Sequence, residues 1–239
     1  GLTAVKAPTF GPRPHAVMFG ELARAILETF GQEEGDELLW EAVSRYGEER
    51  GRRMALRCEA DGVERDMAAY FAYGEWAASE GFEKTPLMDD PYRHYHVLQC
   101  PWCTAWEEAG LAEYGQYYCR TVDESILRGY NPTYRLEMPA YHSMPGGDHC
   151  DFHWKDAPHT EEFAARVADL AAGRSEGCVK DFVYHTAHLY QTLTRAARDR
   201  EAEKGRAAEQ RARRDFAGLC SYQELLRVLA RTEDDFTRP

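Results

Sequence analysis

The chain contains no apolar run approaching the roughly 18 residues of a membrane span, no internal repeat and no low-complexity linker. It also lacks a basic excess. Its 29 Lys and Arg face 41 Asp and Glu, a formal charge of −12. Neither nucleic acid nor an anionic membrane is therefore expected as a partner, because backbone phosphates demand clustered cations. The opening residues, GLTAVKAPTFGPRP, show no apolar core of the signal-peptide kind, and 1–13 are expected to form a flexible arm. Seven cysteines are an odd number in a chain large enough to bury a core without staples, so a disulfide framework is not expected. A reducing cytoplasm is the expected location, with the thiols acting as buried filler, metal ligands or nucleophiles.

What is present is a globular composition, 44% hydrophobic, organised mainly at helical period. Segments 14–31, 33–58 and 64–81 read as helices, and Pro86 and Pro91 then break the pattern. Residues 92–100 alternate as a strand, 106–129 return to helix, and 133–142 and 148–154 read as two strands joined by the turn MPGGD. A long helix is expected to start near Ser175 and run past residue 210. The expected fold class is α+β: a helical N-terminal part, a small antiparallel sheet packed against helices, and a long C-terminal helix, in one domain over 1–239. Residues 195–215 carry a net +3 and the remainder −15. That segment is expected to be solvated or partner-facing, and self-association through it is possible.

Cys100-Pro-Trp-Cys103 invites a redox or zinc reading. Some ninety mostly helical residues precede it without a βαβ frame, and no second CxxC or HxxxH sits nearby to complete a zinc knuckle. The pair is expected to pack rather than to act.

The segments after it are more specific. Glu113-Tyr114-Gly115, Tyr118-Cys119 with Asp123 four residues on, Arg128-Gly129-Tyr130-Asn131-Pro132, and Gly147-Asp148 with Cys150, Phe152 and Trp154 occur in order. Together they resemble the L-2-amino-thiazoline-4-carboxylic acid hydrolase family over about residues 92–155, and more loosely over DFVYHTAHLY (181–190). The Cys-x-Phe strand is also similar to 4-vinyl-reductase-type small-molecule-binding domains, some of which bind zinc.

The resemblance implies hydrolysis of a cyclic isothiourea: addition at a carbon between sulfur and nitrogen, then scission of a ring bond. Such chemistry needs a nucleophile, an acid for the leaving group, an anion for the protonated amidine and a cation or amide nest for the substrate carboxylate. Cys119 and Asp123 are expected one helical turn apart on a partly buried face. Strand alternation sends Cys150 inward with Phe152, where it can meet Cys119. Asp181, His185 and His188 fall within about 60° on a helical wheel. The candidate catalytic set is thus Cys119, Asp123, Cys150, His185 and His188, with Glu113, Asn131, His142 and Asp181 as substrate-binding candidates. No cofactor is expected. The alternative is zinc held by Cys119, Cys150 and His142, activating water in place of a thiol. A non-catalytic small-molecule-binding domain is the reading from a different class. The expected partner in each case is a small molecule.

Overall fold

A computed structural model describes residues 9–239, and the chain opens on two helices, α1 (Pro12–Phe30) and α2 (Gln32–Ala60), hinged at one residue. Gly31 makes that hinge at φ 89°, a left-handed conformation that side chains with a Cβ disfavour. Of the arm expected over 1–13, residues 1–8 lie outside the described residues, and Pro12 and Arg13 form the first turn of α1. Proline suits that position, because its missing N–H would have no intrahelical partner anyway. Val17, Met18, Phe19, Leu22 and Ile26 are all buried, so α1 is a central strut with apolar contacts on several sides.

Next come α3 (Met67–Ala72), β1 (Glu83–Pro86), β2 (Tyr92–Gln99) and α4 (Pro101–Ala109), then α5 (Gln116–Cys119) and α6 (Val122–Tyr130). After β3 (Leu136–Glu137) and β4 (Cys150–Pro158), the chain ends in α7 (Glu161–Gly173), α8 (Phe182–Arg200), α9 (Ala202–Leu219) and α10 (Tyr222–Leu229). The sheet order is β1-β2-β4-β3 and every pairing is antiparallel. In the central pair, His94 faces His153, His96 faces Asp151, and Val97 faces Cys150. Alternation then gives the sheet two unlike faces. Tyr95, Val97, Cys150, Phe152 and Trp154 look toward the helices, where the Trp154 ring meets Phe71 at 5.1 Å. His94, His96, Asp151 and His153 occupy the other face.

The α+β class stands, but several boundaries differ from expectation. The helix expected over 106–129 is three pieces, α4, α5 and α6, separated by a 3-10 turn at 112–114 and by Thr121. Gly110 closes α4 in the left-handed conformation, and a Cβ at Gly115 would lie 2.6 Å from a ring carbon of Trp106. Of the helix expected over 64–81, only α3 forms, with Asp66 accepting from the Ala69 N–H at 2.9 Å. The 133–142 strand shrinks to two residues. The single long C-terminal helix is a hairpin: α8 starts where Asp181 caps it, and Glu201 adopts extended geometry before α9. Gly205 lets the two helices touch, since a Cβ there would sit 2.5 Å from the Arg198 backbone. The inner face of α9, including Ala208, Ala212 and Phe216, is buried against α1 and α8, so this part of 195–215 is neither solvated nor free for a partner. β1 and α7 were not anticipated. No helix among the described residues is long and apolar enough to cross a membrane.

One helix crossing sets the position of the site. α2 packs most intimately against α6, through Gly47 and Gly51 on one side and Gly129 on the other. A methyl at Gly51 would overlap the Ile126 carbonyl oxygen and come within 2.6 Å of the Tyr130 nitrogen. Gly51→Ala is expected to cost about 1–3 kcal/mol or more through overpacking. Urea unfolding measures this, and a loss under about 0.5 kcal/mol would mean that the helices separate freely. The contact matters because α2 carries Arg50 and α6 carries Asp123.

Candidate active site

Four thiols converge where the sheet meets α4 and α5. Cys100 leaves β2 and caps α4, with Pro101 in its first turn and Cys103 one turn further on. Cys119 closes α5, and Cys150 begins β4. The Cys103 thiol interacts with those of both Cys100 and Cys119, and the Ser143 hydroxyl adjoins Cys119. The Cys150 sulfur accepts from the His142 backbone N–H at 3.3 Å. A cavity of about 190 Å³ opens beside them, lined by Cys103, Trp106, Glu107, Ala112, His142, Ser143, Met144 and Gly147. All seven cysteines are free thiols. Cys100 and Cys103 pack as expected, Cys103 within the core and Cys100 against it, and Cys103 also lines the cavity.

Burial shapes the protonation of these groups. It pushes the Cys150 thiol up to about 12. At Cys119 the Cys103 thiol favours the thiolate most, and Ser143 adds to that, but burial and the neighbouring thiols still leave it raised. Asp123, the second residue of α6, is raised to about 6 by burial, against the opposing pull of the Arg50 charge. It is close enough to act electrostatically on Cys150, Tyr95 and Tyr118.

Arg50 is the unexpected feature. It is 2% exposed and stacks on the Trp76 ring at 4.0 Å. Its neighbour Arg53 takes both oxygens of Glu75, at 2.8 Å each. That leaves Arg50 3.6 Å from the nearest Glu75 oxygen, with no hydrogen bond from its Nε or Nη1 among the described residues. His15 Nε2, Tyr46 Oη, Trp102 Nε1 and His185 Nδ1 are likewise buried without partners. They group around Trp76: His15 lies 5.3 Å, Trp102 5.3 Å and His185 4.2 Å from it, ring to ring. An unpaired buried polar group costs about 1–3 kcal/mol, and such groups are sparse in a finished core. Several in one neighbourhood, around a guanidinium with open donors, leave hydrogen-bonding capacity unspent in this part of the core. Burial, with the Arg50 charge second, holds His15 down to about 3 and keeps His185 well below its ordinary value, so both imidazoles are neutral.

The structure brings Cys119, Asp123, Cys150 and His142 together, although Cys119 and Asp123 stand on successive short helices and not on one. His185 packs on the Trp76 ring, its Nε2 donating to the Glu75 carbonyl at 3.1 Å. His188 is occupied on both nitrogens, by Arg53 at 3.1 Å and Glu49 at 2.9 Å. Asp181 is spent on capping α8 and on Arg231 at 3.8 Å, so the expected three-residue stripe does not converge. The Glu113 side chain is exposed. Asn131 closes a turn, accepting from the Thr133 N–H at 3.1 Å and donating to the Arg65 carbonyl at 3.2 Å. Cys119, Cys150 and His142 are not among the trios of His, Cys, Asp or Glu whose ligand atoms approach within 4.8 Å of one another. Arg50, His15 and Tyr46 were missed. Tyr46, Arg50 and Arg53 fall at i, i+4 and i+7, the one stripe in α2 that could have signalled them.

A family model described as L-2-amino-thiazoline-4-carboxylic acid hydrolase matches residues 13–154, more than half of the chain. Neither the curated proteins nor the solved structures yielded a match. The matched span holds Arg50, Asp123 and all four clustered thiols, and it stops short of α8. On this match the chain belongs to the L-2-amino-thiazoline-4-carboxylic acid hydrolase family.

Proposed function

We propose that the protein hydrolyses a small cyclic amidine or isothiourea that bears a carboxylate, of the aminothiazoline carboxylate kind, using Cys119 as nucleophile. The observation that carries this reading is the buried Arg50, whose open donors sit in the same interior as a carboxylate, Asp123, and a thiol cluster. The substrate has three matching features. Its carboxylate pairs with the Arg50 fork, its amidinium N–H donates to Asp123, and its electrophilic carbon meets Cys119. The resting thiol is protonated, so the arriving amidinium charge has to lower its pKa before attack.

The steps balance as follows. Sulfur of Cys119 adds to the amidine carbon, and its proton passes to the substrate. The ring bond from that carbon to the ring sulfur breaks, and the departing sulfur takes up a proton. Water then adds to the enzyme-bound isothiourea and expels the Cys119 thiol, leaving a carbamoyl product. His142 lines the cavity beside Cys103, with its backbone N–H on Cys150. In this reading the surroundings of Arg50 form the anion recess that takes the substrate carboxylate, His185 is part of its wall, and His188, with both nitrogens occupied, orders Arg53.

Incubation with 2-aminothiazoline-4-carboxylate, followed by mass spectrometry, should show gain of one water and appearance of a free thiol. No turnover of this compound or of related cyclic amidines and small lactams would defeat the proposal. Asp123 adds a pH signature. With a folded value near 6, well above its ordinary 3.8, kcat/KM should fall as pH drops through about 6. Asp123→Asn should remove that acid limb and lower turnover about 10²-fold or more. Because the folded value is raised, the ionised carboxylate costs stability above about 6, and the cost fades as pH falls toward 3.8. Asp123→Asn should therefore be no less stable than wild type at pH 8. An acid limb that persists in Asp123→Asn assigns it to another group.

A further inference from the structure

The outer face of the sheet carries a second polar cluster that has no part in the ring-opening chemistry. The register that pairs His94 with His153 and His96 with Asp151 gathers these four side chains on one side of β2 and β4. Three imidazole nitrogens converge on a single oxygen, Oδ1 of Asp151: His94 Nε2 at 2.5 Å, His153 Nε2 at 3.0 Å and His96 Nε2 at 3.3 Å. A carboxylate oxygen offers two lone pairs, so three N–H groups aimed at it exceed what hydrogen bonding can satisfy. The His94 and His153 rings are also stacked at 3.6 Å, an arrangement that two protonated imidazoles would resist.

A cation among these nitrogens resolves both difficulties. We propose that His94, His96 and Asp151 form a divalent transition-metal site, with His153 beside it on the same Asp151 oxygen. Ligand atoms of His94, His96 and Asp151 lie within 4.8 Å of one another, as do those of Asp90, His94 and His153, and the two trios share His94. Asp90 sits 3.2 Å from His94 Nδ1, the carboxylate partner that fixes a ligating imidazole with its other nitrogen facing the metal. Imidazole nitrogens with one carboxylate suit Zn²⁺, Co²⁺, Ni²⁺ or Cu²⁺ and not Mg²⁺ or Ca²⁺. The side chains are 12–31% exposed, so an ion can enter from solvent. The ion would staple β2 to β4 beside the Val97–Cys150 pair and so brace the two strands that deliver Cys100 and Cys150.

The test is a Zn²⁺ titration of protein stripped with EDTA, followed by calorimetry, thermal melting and X-ray absorption. Wild type should bind about one Zn²⁺ per chain and melt at higher temperature with it, with nitrogen and oxygen but no sulfur around the metal. Mg²⁺ should do neither. His94→Ala and His94→Gln should abolish binding while melting like stripped wild type, and His96→Gln or His153→Gln should weaken it at least about 10-fold. Cys119→Ser and Cys150→Ser should bind as wild type does. The proposal is overturned by absence of saturable Zn²⁺ binding, by sulfur in the coordination shell, or by His94 variants that bind normally.

Discussion

Arg50→Met is expected to lower kcat/KM about 10²-fold or more, chiefly through KM, while leaving folding stability unchanged or improved. The two halves of this expectation come from the same geometry. A guanidinium that is 2% exposed has given up its hydration, yet its Nε and Nη1 donate to no partner among the described residues. Those unmet donors offset what the Glu75 oxygen at 3.6 Å and the Trp76 face at 4.0 Å contribute, so a flexible apolar replacement should be tolerated by the resting fold. Truncating one member of a buried charge pair in a complex commonly costs 2–5 kcal/mol of affinity, about a factor of 30 to several thousand. Arg53→Met supplies the contrast. Arg53 donates twice to Glu75 at 2.8 Å and to the Phe236 carbonyl at 2.6 Å, so its loss strips the buried carboxylate of both hydrogen bonds and leaves only Arg50, 3.6 Å away, as its cation. That variant should lose about 3–5 kcal/mol of stability. Urea melts alongside steady-state kinetics separate the two arginines. If Arg50→Met were as destabilising as Arg53→Met and its KM unchanged, Arg50 would be a framework residue and the anion recess would have no claim to the substrate.

The contrast also shows what the sequence could and could not reveal. The sheet core was legible: alternation in YRHYHVLQ and CDFHW sets which residues look inward, and Cys150 does meet the thiol cluster. The family likeness was legible because motifs in order survive changes of helix boundary. Three things were not. Gly110, Gly115 and Gly129 all lie in the segment read as one helix over 106–129, whereas Gly110 ends α4, Gly115 packs against Trp106 and Gly129 permits the α2–α6 crossing. That Arg53 takes both Glu75 hydrogen bonds while Arg50 is left at 3.6 Å depends on the tertiary position of the segment after α3, which no local pattern encodes. The neighbours of CPWC are the third: its packing was expected, but the approach of Cys103 to Cys119 follows from how α4 and α5 lie in the fold. The His185–His188 stripe shows the converse error. Helical spacing put both on one side of α8, but spacing says nothing of the partners across the interface, and Arg53 and Glu49 occupy His188 completely.

Cys119→Ser is expected to lower kcat at least about 10³-fold with the fold intact, since a hydroxyl at that position loses the nucleophile and little volume. Cys103→Ser and Cys150→Ser should each lose far less. The reason lies in the neighbours. Cys119 is flanked by two groups that favour its thiolate, Cys103 and Ser143, whereas Cys150 is buried and held near 12. Because the Cys119 thiol is raised in the resting protein, iodoacetamide should modify it slowly at pH 7 and faster as pH rises, and substrate should protect it. The decisive measurement is acid quench during turnover followed by peptide mass mapping. A substrate-derived adduct should appear on the peptide containing Cys119, persist in Cys150→Ser and vanish in Cys119→Ser. The adduct on Cys150, or near-normal turnover by Cys119→Ser, would transfer the nucleophile to the strand. Turnover by both serine variants without any adduct would remove covalent catalysis altogether, leaving Asp123 to activate water directly against a carbon that Arg50 and the recess have positioned.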